Sequence, residues 1–179
     1  MILEEKFTRP TAAAEIAKIK QIAADLGTDP NYLVALFWHE SGLNPKAVNK
    51  QPGDSNDPAV RAAYRAVGWG QIMPQTAVGL GTTTTALYNM DGVEQLNYNY
   101  KYFLPYKGKL NTFFDVCLVN FYPAAIGQPD SYTFPPIVVQ QNAAMFATGN
   151  TLGDYKNYLR KKFAAYPELF ANSKKKPTL

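Results

Sequence analysis

Cysteine and histidine are nearly missing from the 179 residues: each occurs once, as Cys117 and His39. A single cysteine closes no internal disulfide, and one Cys with one His cannot assemble a zinc site of the usual kind. No apolar run approaches the ~20 residues that a membrane-spanning helix needs, so membrane insertion is not expected. Charged residues make up only 18% of the chain against 46% apolar ones, which excludes a disordered polyelectrolyte and describes a folded protein. The start, Met1 to Phe7, has neither a basic nor an apolar signal region, and no secretory signal peptide is read there. The net charge is a mild +4, much of it in Lys174, Lys175 and Lys176. No basic stripe or recognisable module accompanies it, and nucleic acid is not an expected partner.

What the chain does have is helical periodicity. A lead-in over 1–10 precedes a first helix at about Thr11 to Leu26, with Ile16, Ile19, Ala23 and Leu26 on one face and Gly27 as its stop. A second begins at Asp29-Pro30 and ends at Gly42. Asp57-Pro58 opens a short one, Pro74 another, and Gly79 to Asn89 reads as loop with at most one helical turn. Asp91 to Glu94 looks like a capping box for a helix to about Leu104, facing inward through Val93, Leu96, Tyr100, Phe103 and Leu104. Thr112 to Asp115 and Thr151 to Asp154 repeat the device, Pro123 breaks the helix between them, and a short helix is expected near Ile137 to Phe146. The total is about seven to nine helices with no alternating strands and no internal repeat, so the fold class is mainly α. Cys117, inside FFDVCLVNF, reads as a small core residue.

The stretch that carries chemistry is Tyr32 to Asn49. Leu33, Leu36, Phe37 and Glu40 fall at helical spacing, so a carboxyl ends an otherwise apolar stripe of an amphipathic helix. Burial and the negative end of the helix would both raise the Glu40 pKa, as a general acid requires. From position alone an exposed carboxylate paired with Lys46 or Lys50 stands equally. His39, its neighbour, points to another side of the helix.

The wording around Glu40 separates these readings. Glu40-Ser41-Gly42-Leu43-Asn44-Pro45-Lys46-Ala47, followed by Gly68-Trp69-Gly70-Gln71-Ile72-Met73-Pro74-Gln75-Thr76-Ala77, resembles the soluble lytic transglycosylases, a family of the lysozyme superfamily related to goose-type lysozyme. The resemblance implies a lysozyme-like fold, single domain over 11–170, with a substrate groove between helices and an insertion at 48–66 beside it; the lysine run marks 171–179 as a basic tail. The insertion would be a lid or extra substrate wall, or else a tolerated surface excursion.

That family's scheme needs one carboxyl. Glu40 would be acid and then base in cleaving the β-1,4 bond between N-acetylmuramic acid and N-acetylglucosamine, leaving 1,6-anhydromuramic ends, with no cofactor. Asp54, Asp57 and Asp91 stand in no context that resembles a nucleophile site. Ser41 matches the family's Ser; Gln71 and Met73 match groove-lining positions; Thr76 matches a structural Thr expected as a cap. Tyr122 aligns with the Tyr of an A-Y-N-A-G segment, but Pro123 and Ala125 replace its Asn and Gly, so Asn120 is an alternative polar contact. Asn49 stands where the family often has Ser and would bind the acetamido group. Trp69 is a core anchor or a sugar-stacking ring. The partner is peptidoglycan glycan, with the protein expected as a monomer, delivered by a phage particle, by holin-type release or within a larger chain, alongside other phage or secretion-machine proteins. Alternatives are a hydrolytic muramidase on the same fold, or a non-catalytic wall-binding component of a tail or secretion machine.

Overall fold

The structure, a computed structural model, describes residues 5–7 and 9–171. The remainder of the expected lead-in, residues 1–4 and 8, lies outside the described residues, as does the basic tail from 172 onward. Contacts divide the chain into two compact units, Met1–Gly108 and Lys109–Leu179. Among the described residues there are nine α-helices and no strand, only isolated bridges. The fold is mainly helical, in keeping with the lysozyme-like class. No described helix is long and apolar enough to cross a membrane.

In the first unit the helices are α1 (Ala12–Leu26), α2 (Pro30–Ser41), α3 (Pro58–Arg61), α4 (Pro74–Gly79), α5 (Thr84–Asn89) and α6 (Gly92–Phe103). Helix α1 packs against both α2 and α6. Gly27 ends α1 in the left-handed region at φ 74° and returns its N–H to the Ala23 and Ala24 carbonyls. The expected loop after Gly79 instead holds α5, because the Thr83 side chain accepts the Ala86 N–H and starts a helix.

Ile19, Ala23 and Leu26 of α1 and Leu96 and Phe103 of α6 are buried as expected, but both faces depart from expectation elsewhere, and for one reason. In α6 the buried residues are Gln95, Leu96, Asn99 and Phe103, while Val93 and Tyr100 are half-buried and Leu104 is exposed. In α1 the charged Glu15 is buried at 2% exposure, whereas Ile16 is only half-buried. Polar side chains go inside when their partners are waiting there. Glu15 accepts from Arg9 Nε at 2.6 Å, and Arg9 also donates to the Leu43 carbonyl and lies 4.8 Å from the Trp69 ring. The lead-in is therefore stitched into the core through Arg9.

The second unit holds α7 (Phe113–Phe121), α8 (Pro136–Gln141) and α9 (Leu152–Lys162), with a 3-10 turn at Pro167–Phe170. Thr112–Asp115 and Thr151–Asp154 both form reciprocal capping boxes. The helix expected to reach Phe146 stops at Gln141. Phe121, Phe134, Phe146 and Tyr155 make one aromatic cluster, and Phe113 packs edge-on against Phe163 at 5.0 Å. Cys117 is buried in this core and in no disulfide, the small core residue read from the sequence.

Candidate functional site

Helix α2 starts as the sequence dictates: Asp29 accepts the Asn31 N–H at 2.8 Å and Pro30 fills the first position. It is not amphipathic. Tyr32, Leu33, Val34, Ala35, Leu36 and Phe37 are all buried, so the middle of the helix runs through the interior and its two ends are half-buried. Glu40 lies in that last turn and is half-buried. Gly42, at φ 64°, closes the helix by donating to the Phe37 and Trp38 carbonyls. Ser41 Oγ donates back to the Phe37 carbonyl at 2.9 Å, which leaves its oxygen able only to accept.

The lysines expected as simple partners of Glu40 are engaged elsewhere. Lys46 Nζ donates to the Tyr88 and Met90 carbonyls at the C-terminal end of α5, and Lys50 Nζ donates to Asn56 Oδ1 at 2.6 Å. Tyr102 of α6 feels the Glu40 charge. Burial pushes the Tyr102 phenol above its usual range, and the Tyr106 and Glu40 charges add to the effect. Sequence reading missed Tyr102, since nothing in its spacing separates it from Tyr98, Tyr100 and Tyr106.

The second motif forms a tight reversal. Val67 and Ile72 exchange both main-chain hydrogen bonds, at 3.1 and 2.9 Å, and Gln71 N–H closes the turn onto the Gly68 carbonyl at 3.2 Å. Gly68 takes φ +80°, and a Cβ there would overlap the Gln95 side-chain oxygen. Gln71 itself is held at φ 50°, a left-handed conformation uncommon for a residue with a side chain. Its Nε2 donates to the Ala47 and Gly68 carbonyls at 3.3 and 3.1 Å, tying the loop after α2 to the reversal. Met73 is 57% exposed and thus not core. Thr76 is not a cap: it lies inside α4, whose cap position is Met73, with no side-chain bond.

Trp69 is a core anchor and not a sugar platform. It is fully buried, its Nε1 donates to the Gly92 carbonyl at 2.9 Å, and Phe7 and Phe37 flank the ring at 6.0 and 5.8 Å. Beneath the reversal Gln95 gathers three chain segments. Its Oε1 accepts the Trp69 N–H, and its Nε2 donates to the Pro45 and Leu87 carbonyls, each at 2.9 Å. This hub fixes both motif loops against α6, and no apolar pattern could have revealed it.

The segment 48–66 closes on itself. Asn49 N–H donates to the Ala66 carbonyl at 3.1 Å at its neck, while the Asn49 side chain lies on an exposed residue. Inside, Arg65 meets Asp54 through two bonds of 2.8 and 2.7 Å, and the buried Arg61 donates to the Ser55 and Asn56 carbonyls at 2.7 and 2.9 Å. Arg65 hydrogen bonding holds the Asp54 carboxyl below its usual range against the opposing effect of burial. Asp57 and Asp91 are helix caps. None of the three acids is available as a nucleophile.

In the second unit Asn120 lies in the last turn of α7 and Tyr122 follows its end. Both are half-buried. The Tyr122 ring meets Phe134 edge-on at 5.4 Å, and its hydroxyl hydrogen-bonds Tyr132, whose phenol is pushed up by burial first and by Tyr122 second. Among the described residues no cluster of three His, Cys, Asp or Glu side chains forms a metal site.

Residues 17–105 match the model of one protein family, the transglycosylase SLT domain. The matched stretch contains Glu40, Ser41, Asn49, Gln71, Met73 and Tyr102, whereas Asn120 and Tyr122 lie beyond it. No curated protein and no solved structure matches the chain.

Proposed function

Residues 17–105 form a transglycosylase SLT domain, a unit with peptidoglycan lytic transglycosylase-type activity, and on that premise we propose that Glu40 is its single acid and base. The observation that supports this is the placement of Glu40. It is half-buried in the last turn of a helix whose preceding residues Tyr32 to Phe37 are all buried. The helix's negative end and the partial loss of water both favour a carboxyl that keeps its proton.

In the proposed reaction Glu40 gives its proton to the glycosidic oxygen, and the C–O bond to the anomeric carbon of N-acetylmuramic acid breaks. The acetamido oxygen of that sugar supplies the electron pair in place of a protein nucleophile. The Glu40 carboxylate then takes the proton from the O6 hydroxyl, O6 displaces the acetamido oxygen, and a 1,6-anhydro ring closes with Glu40 reprotonated. Gln71, Asn49 and Met73 are assigned to holding the sugar, and Ser41 to accepting a hydroxyl or amide proton beside Glu40. Assignment of Asn120 and Tyr122 to sugar contacts is a separate proposal that rests on the motif.

Peptidoglycan places the site of action outside the cytoplasmic membrane. We propose delivery by a phage particle, holin-type release or a larger parent chain, with the domain acting as a monomer. Mass spectrometry of digested cell wall tests the chemistry. Anhydro ends are expected; reducing ends would instead assign hydrolysis by water on the same scaffold.

A further inference from the structure

A cavity of about 300 Å³ lies within the second unit, and none of the residues assigned above is in its lining. Its lining includes Phe114 and Asp115 of α7, Gln128, and Lys156 and Arg160 of α9. The size is at the lower end of what small-molecule sites occupy, about 300–1,000 Å³.

The charges in this cavity are unequally committed. Asp115, the one acid in the lining, is held as half of the α7 capping box, its Oδ2 accepting the Thr112 N–H and hydroxyl, both at 2.8 Å. Lys156 pairs with Asp130 at 2.6 Å, but Asp130 is 64% exposed, so that pair is water-screened and exchangeable. Arg160 has only the neutral Asn157 Oδ1 as a polar partner among the described residues, at 2.9 Å. Its guanidinium lies 4.9 Å from the Phe114 ring, and the Lys156 ammonium lies 5.5 Å from the same ring. Phe114 is backed by Phe170, stacked at 5.4 Å, which fixes the ring as a floor.

Two cations thus share one aromatic floor, and one of them, Arg160, keeps most of its donors open among the described residues. A planar guanidinium with open donors recognises a carboxylate through paired N–H···O bonds. We propose that this cavity binds a carboxylate, and that in the chain's own substrate it is one carried by the stem peptide. The second half of that statement rests on the peptidoglycan reading; the first half does not. The muramic-acid lactyl group is the other source of the same chemistry, exposed only where the glycan carries no peptide.

The test is calorimetric titration of the full chain, with amide spectra by NMR, against three probes: an acidic Ala–Glu–Lys–Ala tetrapeptide, its neutral analogue with Gln and a C-terminal amide, and peptide-free glycan. The acidic peptide should bind, weakening with salt, and shift resonances of residues around Phe114. The neutral analogue should not bind. Arg160→Gln and Lys156→Gln, each with an unchanged unfolding midpoint, should weaken the acidic peptide about tenfold. Equal binding of acidic and neutral peptides, or unaltered affinity in both variants, overturns the carboxylate site. Displacement of the peptide by peptide-free glycan overturns the stem-peptide assignment. None of these readouts requires cleavage, so a failure here is distinct from a failure to find anhydro or reducing ends.

Discussion

The side-chain oxygen of Gln95 accepts the main-chain N–H of Trp69 at 2.9 Å, across 26 positions of sequence. Both groups are buried, and the same amide also holds the Pro45 and Leu87 carbonyls. The loop that follows Glu40 and the reversal that carries Gln71 are thereby pinned to one side chain. Gln95→Leu should cost about 2–4 kcal/mol by orphaning the buried Trp69 N–H and taking a donor from the Pro45 and Leu87 carbonyls, read as a lower urea midpoint. A loss under half a kcal/mol would mean that water replaces the amide freely.

Gly68→Ala probes the same junction from the backbone side. The added Cβ would overlap the Gln95 oxygen, and φ +80° disfavours any side chain. The variant should lose more than about 2 kcal/mol of stability, with glycan cleavage falling further than the folded fraction does. Cleavage that tracks the folded fraction alone would separate this loop from the site.

Glu40→Gln keeps the shape and removes the proton. Wall-clearing rate should fall by about a hundredfold or more, at an unchanged unfolding midpoint, because general acid–base catalysis contributes on that scale. A variant that clears wall at the parent rate would remove Glu40 from the mechanism.

Tyr102 reports on Glu40 directly. The Glu40 charge is one of the influences raising the Tyr102 phenol, so Glu40→Gln should lower the Tyr102 pKa, followed by tyrosine-resolved NMR titration. Burial keeps it above the usual range even then. Identical titration curves for the two proteins would show that the side chains do not communicate.

Asp54 sets an acid limit on the 48–66 segment. Its folded pKa is depressed by Arg65, so its contribution is fully present above the ordinary aspartate value of about 4 and is lost as pH falls through the depressed folded value. Arg65→Met should flatten that part of the stability profile below about pH 4 and leave its shape at neutral pH alone. Asp154, depressed by Thr151 hydrogen bonds, contributes with the same sign in the second unit. An unaltered acid limb in Arg65→Met would show that the pair also persists in the unfolded chain.

Some of this was open to sequence reasoning because its causes are local. Asp29 with Pro30, the Thr112–Asp115 and Thr151–Asp154 boxes, the stops at Gly27 and Gly42, and the break at Pro123 depend on neighbours within a turn of chain. The position of Glu40 in a final helical turn follows from the same short-range rules.

What the sequence by itself determined, then, is where helices begin and end, and which carboxyl stands at the end of α2. Only the tertiary structure decided which polar side chains belong inside. Glu15 is buried because Arg9 folds back over it, and Gln95 because its acceptors and donor arrive from positions 8, 26 and 50 residues away. It also turned Trp69 inward, bent the 48–66 segment onto its own Asp54–Arg65 pair, and brought Tyr102 within reach of the Glu40 charge. A buried hydrogen bond stabilises only when both partners are present, and no periodicity in one segment records what another segment brings to it.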